Sequence, residues 1–248
     1  MKRLLILGGT GDAVELARQA TNIPGVQVIS SLAGRTIVPK SLVGAVRIGG
    51  FGGEAGLVRY LQTEQIDLLI DATHPFAAQI SRNAAGAADR VGIPRLMLIR
   101  PAWTRSPEDN WIEVESVEAA VTAIPASAER IFVTIGRQQL APFATLTDKW
   151  CLMRSIDPPD LSILLPPGKL LLERGPFNLE RERELLREYQ IQAIVSKNSG
   201  GDATYAKIIA ARELGLPVVM VQRPIVPAGE IVTDVAGAME WLIDRLDR

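Results

Sequence analysis

The chain opens on Lys2-Arg-Leu-Leu-Ile-Leu-Gly8-Gly9-Thr10-Gly11-Asp12-Ala13-Val14-Glu15-Leu16-Ala17, an apolar strand running through a glycine turn into an amphipathic helix. Glycines permit a tight turn and the close approach of a phosphate. The free amides and positive dipole end of the helix then favour an anion. The spacing is Gly9-x-Gly11, with Val14 at the place of the third glycine of the dinucleotide fingerprint, so the match is partial. A strand, glycine turn and helix at the start of a chain constrain the fold to an α/β domain with a nucleotide pocket at its first turn.

A second strand, Val26 to Ser30, ends about 20 residues after the glycine turn, where an Asp or Glu holds the ribose of NAD in this arrangement. The chain instead reads Ser30-Ser31-Leu32-Ala33-Gly34-Arg35. Hydroxyls and a guanidinium suit a 2′-phosphate, which favours NADPH over NADH. The alternative is that Arg35 and Lys40 are ordinary solvated loop charges.

Apolar runs alternate with helical patterns along the chain. In the first hundred residues strands fall near 3–8, 26–30, 45–48, 67–71 and 95–99, with helices near 12–21, 54–64 and 77–91. Continuously apolar strands such as Asp67 to Asp71 belong to parallel sheets covered on both faces. The segment Arg100 to Asn110, with two prolines and several polar residues, breaks the pattern and reads as a crossover. Beyond it, strands are expected near 130–135, 150–154, 169–173, 192–196 and 217–221, with helices near 116–124, 178–189, 203–214 and 234–246. The expected architecture is two doubly wound, Rossmann-like parallel-sheet domains, residues 1–101 for the cofactor and 102–248 completing the substrate site, with a cleft between their strand ends.

Composition narrows the function classes. Twenty-seven basic against 28 acidic residues leave no global field for nucleic acid or an anionic membrane. The apolar opening run is too short for a secretory signal, and no run is long enough to span a bilayer. The lone cysteine, Cys151, excludes an intrachain disulfide or cysteine-cluster metal site and reads as core packing. Together these features place the expected protein in the cytoplasm, with no metal site; its oligomeric state is open.

Several loops after predicted strands carry chemistry. Gly49-Gly50-Phe51-Gly52-Gly53 either lets the backbone pass close to a cofactor or serves as a flexible connection. Asp71-Ala72-Thr73-His74-Pro75-Phe76-Ala77 holds the only histidine, placed to reach the nicotinamide end of a dinucleotide seated on the first turn. Lys197-Asn198-Ser199-Gly200-Gly201 repeats the strand, glycine turn and helix arrangement and adds a cation. Gly136-Arg137 and Glu173-Arg174-Gly175-Pro176 put guanidinium groups at the same edge, sketching a site for a carboxylated substrate.

Assembled in order, Leu5-Ile-Leu-Gly-Gly-Thr10, Ser31-Leu-Ala-Gly-Arg35-Thr36, Gly49-Gly-Phe-Gly-Gly53, Asp71-Ala-Thr-His-Pro-Phe-Ala77, Gly136-Arg137, Glu173-Arg-Gly-Pro-Phe177, Ser196-Lys-Asn-Ser-Gly-Gly201 and Gly215-Leu-Pro-Val-Val219 make the chain resemble the precorrin-6A reductase family of corrin ring biosynthesis, its cobalt-precorrin-6A members included. The likeness spans nearly the whole chain and departs mildly at Gly11-Asp12, where a small polar residue and a glutamate are the family's pattern. The resemblance implies reduction of the C18–C19 double bond of an anionic tetrapyrrole by hydride from NADPH, with no protein-bound metal. Gly8, Gly9, Thr10, Gly11, Ser30, Ser31, Arg35, Gly50, Phe51 and Thr73 are the candidate cofactor residues. His74, Arg137, Arg174, Lys197, Ser199, Gly200 and Tyr205 are the candidate substrate residues, with His74 also the candidate catalytic group that positions substrate or assists protonation.

Two rival classes differ in testable features. A short-chain dehydrogenase relies on Tyr-x-x-x-Lys, and none of Tyr60, Tyr189 or Tyr205 has lysine four residues on. A non-catalytic NADPH-sensing regulator would bind cofactor without turnover, and the arginines and glycine turns of the second half argue for a ligand site instead.

Overall fold

The computed structural model describes residues 1–34 and 43–246. In chain order the elements are β1 (Lys2–Leu7), α1 (Gly11–Ala20), β2 (Val26–Leu32), β3 (Ala45–Ile48), α2 (Gly53–Thr63), β4 (Leu68–Asp71), α3 (Ala78–Val91) and β5 (Arg95–Leu98). They continue through β6 (Trp111–Val114), α4 (Val117–Ala123), β7 (Arg130–Thr134), β8 (Trp150–Ser155), β9 (Gly168–Leu172), α5 (Leu179–Glu188), β10 (Ala193–Lys197), α6 (Ala206–Glu213) and β11 (Val218–Val221). The last two are β12 (Glu230–Val232) and α7 (Val235–Leu246). Among the described residues no helix is long and apolar enough to cross a membrane.

The chain divides into two compact units, Met1–Pro101 with Pro224–Arg248, and Ala102–Arg223. Residues 224–248, assigned by sequence to the second domain, therefore belong to the first. The cause is packing. β12 pairs in parallel with β5, and Ala238, Trp241 and Leu242 of α7 are buried with Leu16, Ala17 and Ala20 of α1.

Each unit carries a six-stranded parallel sheet among the described residues, in the orders β12-β5-β4-β1-β2-β3 and β6-β11-β10-β7-β8-β9. The first is the doubly wound order 3-2-1-4-5-6 with its sixth place filled by a strand from the chain's end. The second has the same order counted from β7, its sixth place filled by the strand that enters the unit. β6 and β12, the two sixth strands, are the ones the sequence did not predict. Both are short sheet-edge segments, Trp111-Ile-Glu-Val and Glu230-Ile-Val, too brief to show a period.

Both faces of the first sheet are covered, as its continuously apolar strands require. Leu4 and Ile6 of β1 are buried against α1 and α7, while Leu5 and Leu7 are buried with Leu57 and Leu61 of α2 and Ala84, Ala87 and Ala88 of α3. Each such leucine or isoleucine contributes about 1.5–3 kcal/mol on burial. In the second unit Phe132, Leu152, Ile194, Val218 and Met220 pack against Leu185 and Leu186 of α5 and Ile208 of α6. Cys151 is fully buried in β8, in the packing role expected of it, and burial pushes its thiol up to about 11.

Candidate active site

In an open doubly wound sheet, ligands bind outside the carboxyl ends of the strands where the strand order reverses. In the first unit that point lies between β1 and β4. The turn after β1 is held from both sides. The Gly8 amide donates to the Ser31 carbonyl (2.9 Å), and Thr10 caps α1 by accepting from the Ala13 amide (3.1 Å). The Thr10 hydroxyl also donates to the Ala72 carbonyl (2.8 Å), stapling the β1 turn to the β4 loop. Thr10 thus builds the turn, and what its side chain offers a ligand is secondary.

Gly9 sits at φ +117°, a conformation that side chains resist, so glycine is demanded by the backbone. Gly11 differs: its φ lies outside that region, and a Cβ built on it meets nothing within 4 Å. Gly50 has the same two properties. Neither the backbone nor a protein neighbour requires these two glycines, and both leave room where a dinucleotide lies in this fold. The one acid in the first turn of α1, Asp12, has its carboxylate paired with Arg100 (3.2 Å), which blunts its repulsion of an anion.

The edge of β2 differs from expectation. The strand runs through Leu32 rather than ending at Ser30, because Leu32 pairs with Ile48 of β3. Ser30 is therefore inside the strand, 2% exposed, with a buried hydroxyl that has no hydrogen-bond partner. Its side chain has no route to a ribose, and the segment after the strand begins at Ala33. Ser31 is also buried, but its hydroxyl accepts from the Arg47 guanidinium (3.4 Å). Arg35 lies outside the described residues.

Arg47 also donates to the Gly49 carbonyl and to the Gly50 carbonyl (2.8 Å), and lies 3.8 Å over the Phe51 ring and 5.1 Å from that of Tyr60. The Gly49–Gly53 loop is thus anchored and not a loose connection. Gly56 of α2 completes the anchor, since a Cβ there would collide with the Phe51 carbonyl at 1.7 Å. Sequence reasoning missed Arg47. It lies 16 residues from Ser31, and only the parallel pairing of β2 with β3 brings the two together.

The β4 loop is organised by Asp71, whose Oδ1 accepts from the Thr73 amide (3.1 Å) and hydroxyl (2.6 Å). The Thr73 hydroxyl lies 3.5 Å from that of Ser81, so it is turned into the protein. Asp71 Oδ2 is buried without a partner and borders, with Thr73, His74 and Ser81, a cavity of about 10 Å³, room for one water. His74 is half-buried. Its Nδ1 accepts from the Phe76 amide (3.2 Å), which places the neutral ring's proton on Nε2.

In the second unit the strand order reverses between β7 and β10. Gly136-Arg137 follows the first, and Lys197 ends the second. Burial lowers the Lys197 ammonium to about 8. The loop beyond it is fixed by residues the sequence did not single out. The buried Asn198 side chain exchanges two hydrogen bonds with the Trp103 backbone (2.8 and 3.1 Å), and the Trp103 indole donates to the Gly201 carbonyl (2.8 Å). Arg223 donates to the Asn198 and Ser199 carbonyls (2.9 and 3.0 Å). Ser199 and Gly200 thus lie in a built turn.

The other substrate candidates separate. Arg137 donates to the Pro158 carbonyl (2.8 Å), tying the loops after β7 and β8 together at the switch point. Arg174 is exposed at the end of β9, the far edge of the sheet. Its loop rests on Arg154, which stacks 3.8 Å from Phe177 and is bonded bidentately to the fully buried Glu182 (2.6 and 2.7 Å). Tyr205 departs from expectation: its hydroxyl accepts from Arg212 (3.0 Å), which is paired with the buried Asp109, and its ring packs on Trp103. Tyr205 is thus held by a structural partner, its O–H still able to donate.

Comparison with known proteins agrees with this architecture. Residues 3–243 match the family model described as precorrin-6x reductase CbiJ/CobK. A precorrin-6A reductase of Rhodococcus erythropolis is 51% identical over 243 residues, covering 98% of each chain. A cobalt-precorrin-6A reductase of Priestia megaterium is 28% identical over 254 residues, again with 98% of each chain covered. The solved structure of CobK precorrin-6A reductase aligns with a TM-score of 0.91 at 44% identity, over 98% of this chain and 97% of that one. The chain belongs to the precorrin-6x reductase family.

Proposed function

We propose that the protein reduces the C18–C19 double bond of precorrin-6A with NADPH, in cobalamin biosynthesis. Membership of a reductase family makes it an oxidoreductase. The observation that carries the finer reading is the first switch point. A capped helix N-terminus, a turn stapled by Thr10 to Ala72, and open space at Gly11 and Gly50 fit a dinucleotide pyrophosphate and its ribose. When bound, NADPH supplies the hydride. The metal-free macrocycle is the preferred substrate, because the relative named for precorrin-6A is nearly twice as identical as the one named for the cobalt form.

The protein's part is orientation and charge. Arg137 and Lys197 face substrate carboxylates at the second switch point, and Asn198 holds the Lys197 loop in place. Lys197, its ammonium lowered to about 8 by burial, is still charged at neutral pH and pairs with a carboxylate in that state. His74, presenting Nε2–H from the β4 loop, positions the reacting ring.

The test is to incubate the purified protein with NADPH and precorrin-6A while following reduced-nicotinamide and corrinoid absorbance together. Equimolar oxidation and reduction are expected. NADPH binding without turnover on either the metal-free or the cobalt substrate would favour the regulator reading and overturn this one.

A further inference from the structure

We propose that Arg47 recognises the 2′-phosphate of the dinucleotide, an inference that rests on the NADPH reading above. In the doubly wound arrangement the adenosine ribose lies outside the carboxyl end of β2, and an arginine nearby accommodates a 2′-phosphate. β3 runs parallel beside β2 with Ser31 opposite Arg47 and Leu32 opposite Ile48, so a side chain near the end of β3 is within reach of that ribose.

The charge of Arg47 is available. Its described hydrogen bonds go to the Ser31 hydroxyl and the Gly49 and Gly50 carbonyls, all neutral oxygens, and its other contacts are the Phe51 and Tyr60 rings. Among the described residues no carboxylate pairs with it. Arg3, Arg90 and Arg100 of the same unit are paired with Glu64 (2.8 Å), Glu54 (3.0 Å) and Asp12 (3.2 Å), whereas the exposed Arg59 and Arg82 lie on helices α2 and α3 and not at a strand end. A half-buried guanidinium held against an aromatic face loses little rotamer freedom on binding, and its planar fork matches a phosphate. Beside it, Gly50 leaves open the space a side chain would fill. The pyrophosphate belongs at the N-terminus of α1, so the phosphate monoester is the anion left for this edge.

A residue that only stapled the glycine loop would support NADPH and NADH alike. The experiment is to titrate the full chain with each cofactor, comparing parent, Arg47→Met, which keeps an apolar stem over Phe51, and Arg47→Lys. Arg47→Met is expected to weaken NADPH by about 10- to 100-fold while changing NADH by less than about threefold. Arg47→Lys, keeping charge but not the fork, falls between, and it carries the test if the methionine variant does not fold. Parallel loss of both cofactors overturns the proposal. So does unchanged NADPH affinity in both variants, with Arg35→Ala showing the selective loss instead. A parent that binds neither cofactor, or prefers NADH, overturns the NADPH reading itself, whereas a parent that prefers NADPH with insensitive Arg47 variants overturns only this assignment.

Discussion

Gly11→Ala and Gly9→Ala separate a glycine that the backbone does not require from one that it does. Gly11 opens α1 at a φ any residue adopts, and a methyl there touches nothing within 4 Å. Replacing such a glycine narrows the unfolded ensemble and stabilises by about 0.4–1 kcal/mol. For a chain of this length each kcal/mol moves Tm by roughly 2–4 °C, so Tm is expected to rise by about 1–4 °C without cofactor. With cofactor the gain persists: the small polar residue of the family's pattern at this place carries the same Cβ, so NADPH affinity is expected to stay within about threefold of the parent. Gly9→Ala is the contrast, because its φ of +117° makes the substitution strained and lowers Tm whatever is bound. Scanning calorimetry on the free proteins and calorimetric titration with NADPH measure both effects. If Gly11→Ala lowered Tm in the free protein, or weakened NADPH by more than about tenfold, the open and unstrained first turn described for Gly11 would be wrong.

Three further outcomes follow from specific contacts. Thr10→Val removes the α1 cap and leaves the buried Ala72 carbonyl without its donor; denaturant unfolding should show a loss of about 2–3 kcal/mol, with Thr10→Ser close to the parent. Lys197 acts protonated with its ammonium near 8, so kcat/KM should be level below that pH and fall above it. Lys197→Met should lose about tenfold or more and show no such limb, Lys197→Arg should keep most of the activity without the limb, and a parental profile flat through pH 9 would refute the pairing. Burial lowers Lys207 to about 7, so the unfolded chain holds its proton more tightly between pH 7 and the ordinary lysine value. The Lys207 contribution to stability therefore rises with pH across that window. Lys207→Met, measured by melting from pH 6 to 10, should gain most at the acid end and lose its advantage as pH rises.

The elements were readable because their signals are local. β1, β4 and β5 are short apolar runs, α1 carries its own cap, and the glycines that follow strands mark the ligand edge. What escaped depends on pairing. Helical periodicity showed that α7 has an apolar stripe but not that its partner is α1, more than two hundred residues earlier, so the tail went to the wrong unit. Arg47 needed the β2–β3 register, and Trp103 and Arg223 needed the fold of the crossovers around Asn198. Ser30 failed in the opposite way. Its residue type suits a ligand, but the length of β2 buries it.

The second switch point gains an electrostatic property from the way the chain crosses between units. Trp103 lies just inside the entry to the second unit, and Arg223 is its last residue. Both donate to the same turn: the indole N–H to Gly201, the guanidinium to Asn198 and Ser199. A turn that follows a strand has carbonyl dipoles whose negative ends repel an anion unless donors cap them. Here three of those carbonyls are capped, one of the donors is itself cationic, and Lys197 stands at the head of the turn. Under the proposed function a substrate carboxylate at this turn would meet capped carbonyls and two cations, although the chain as a whole carries a formal charge of −1. The segments by which the chain enters and leaves the second unit also fix the turn after β10. That is why its polar candidates sit on a fixed turn and not on a free loop.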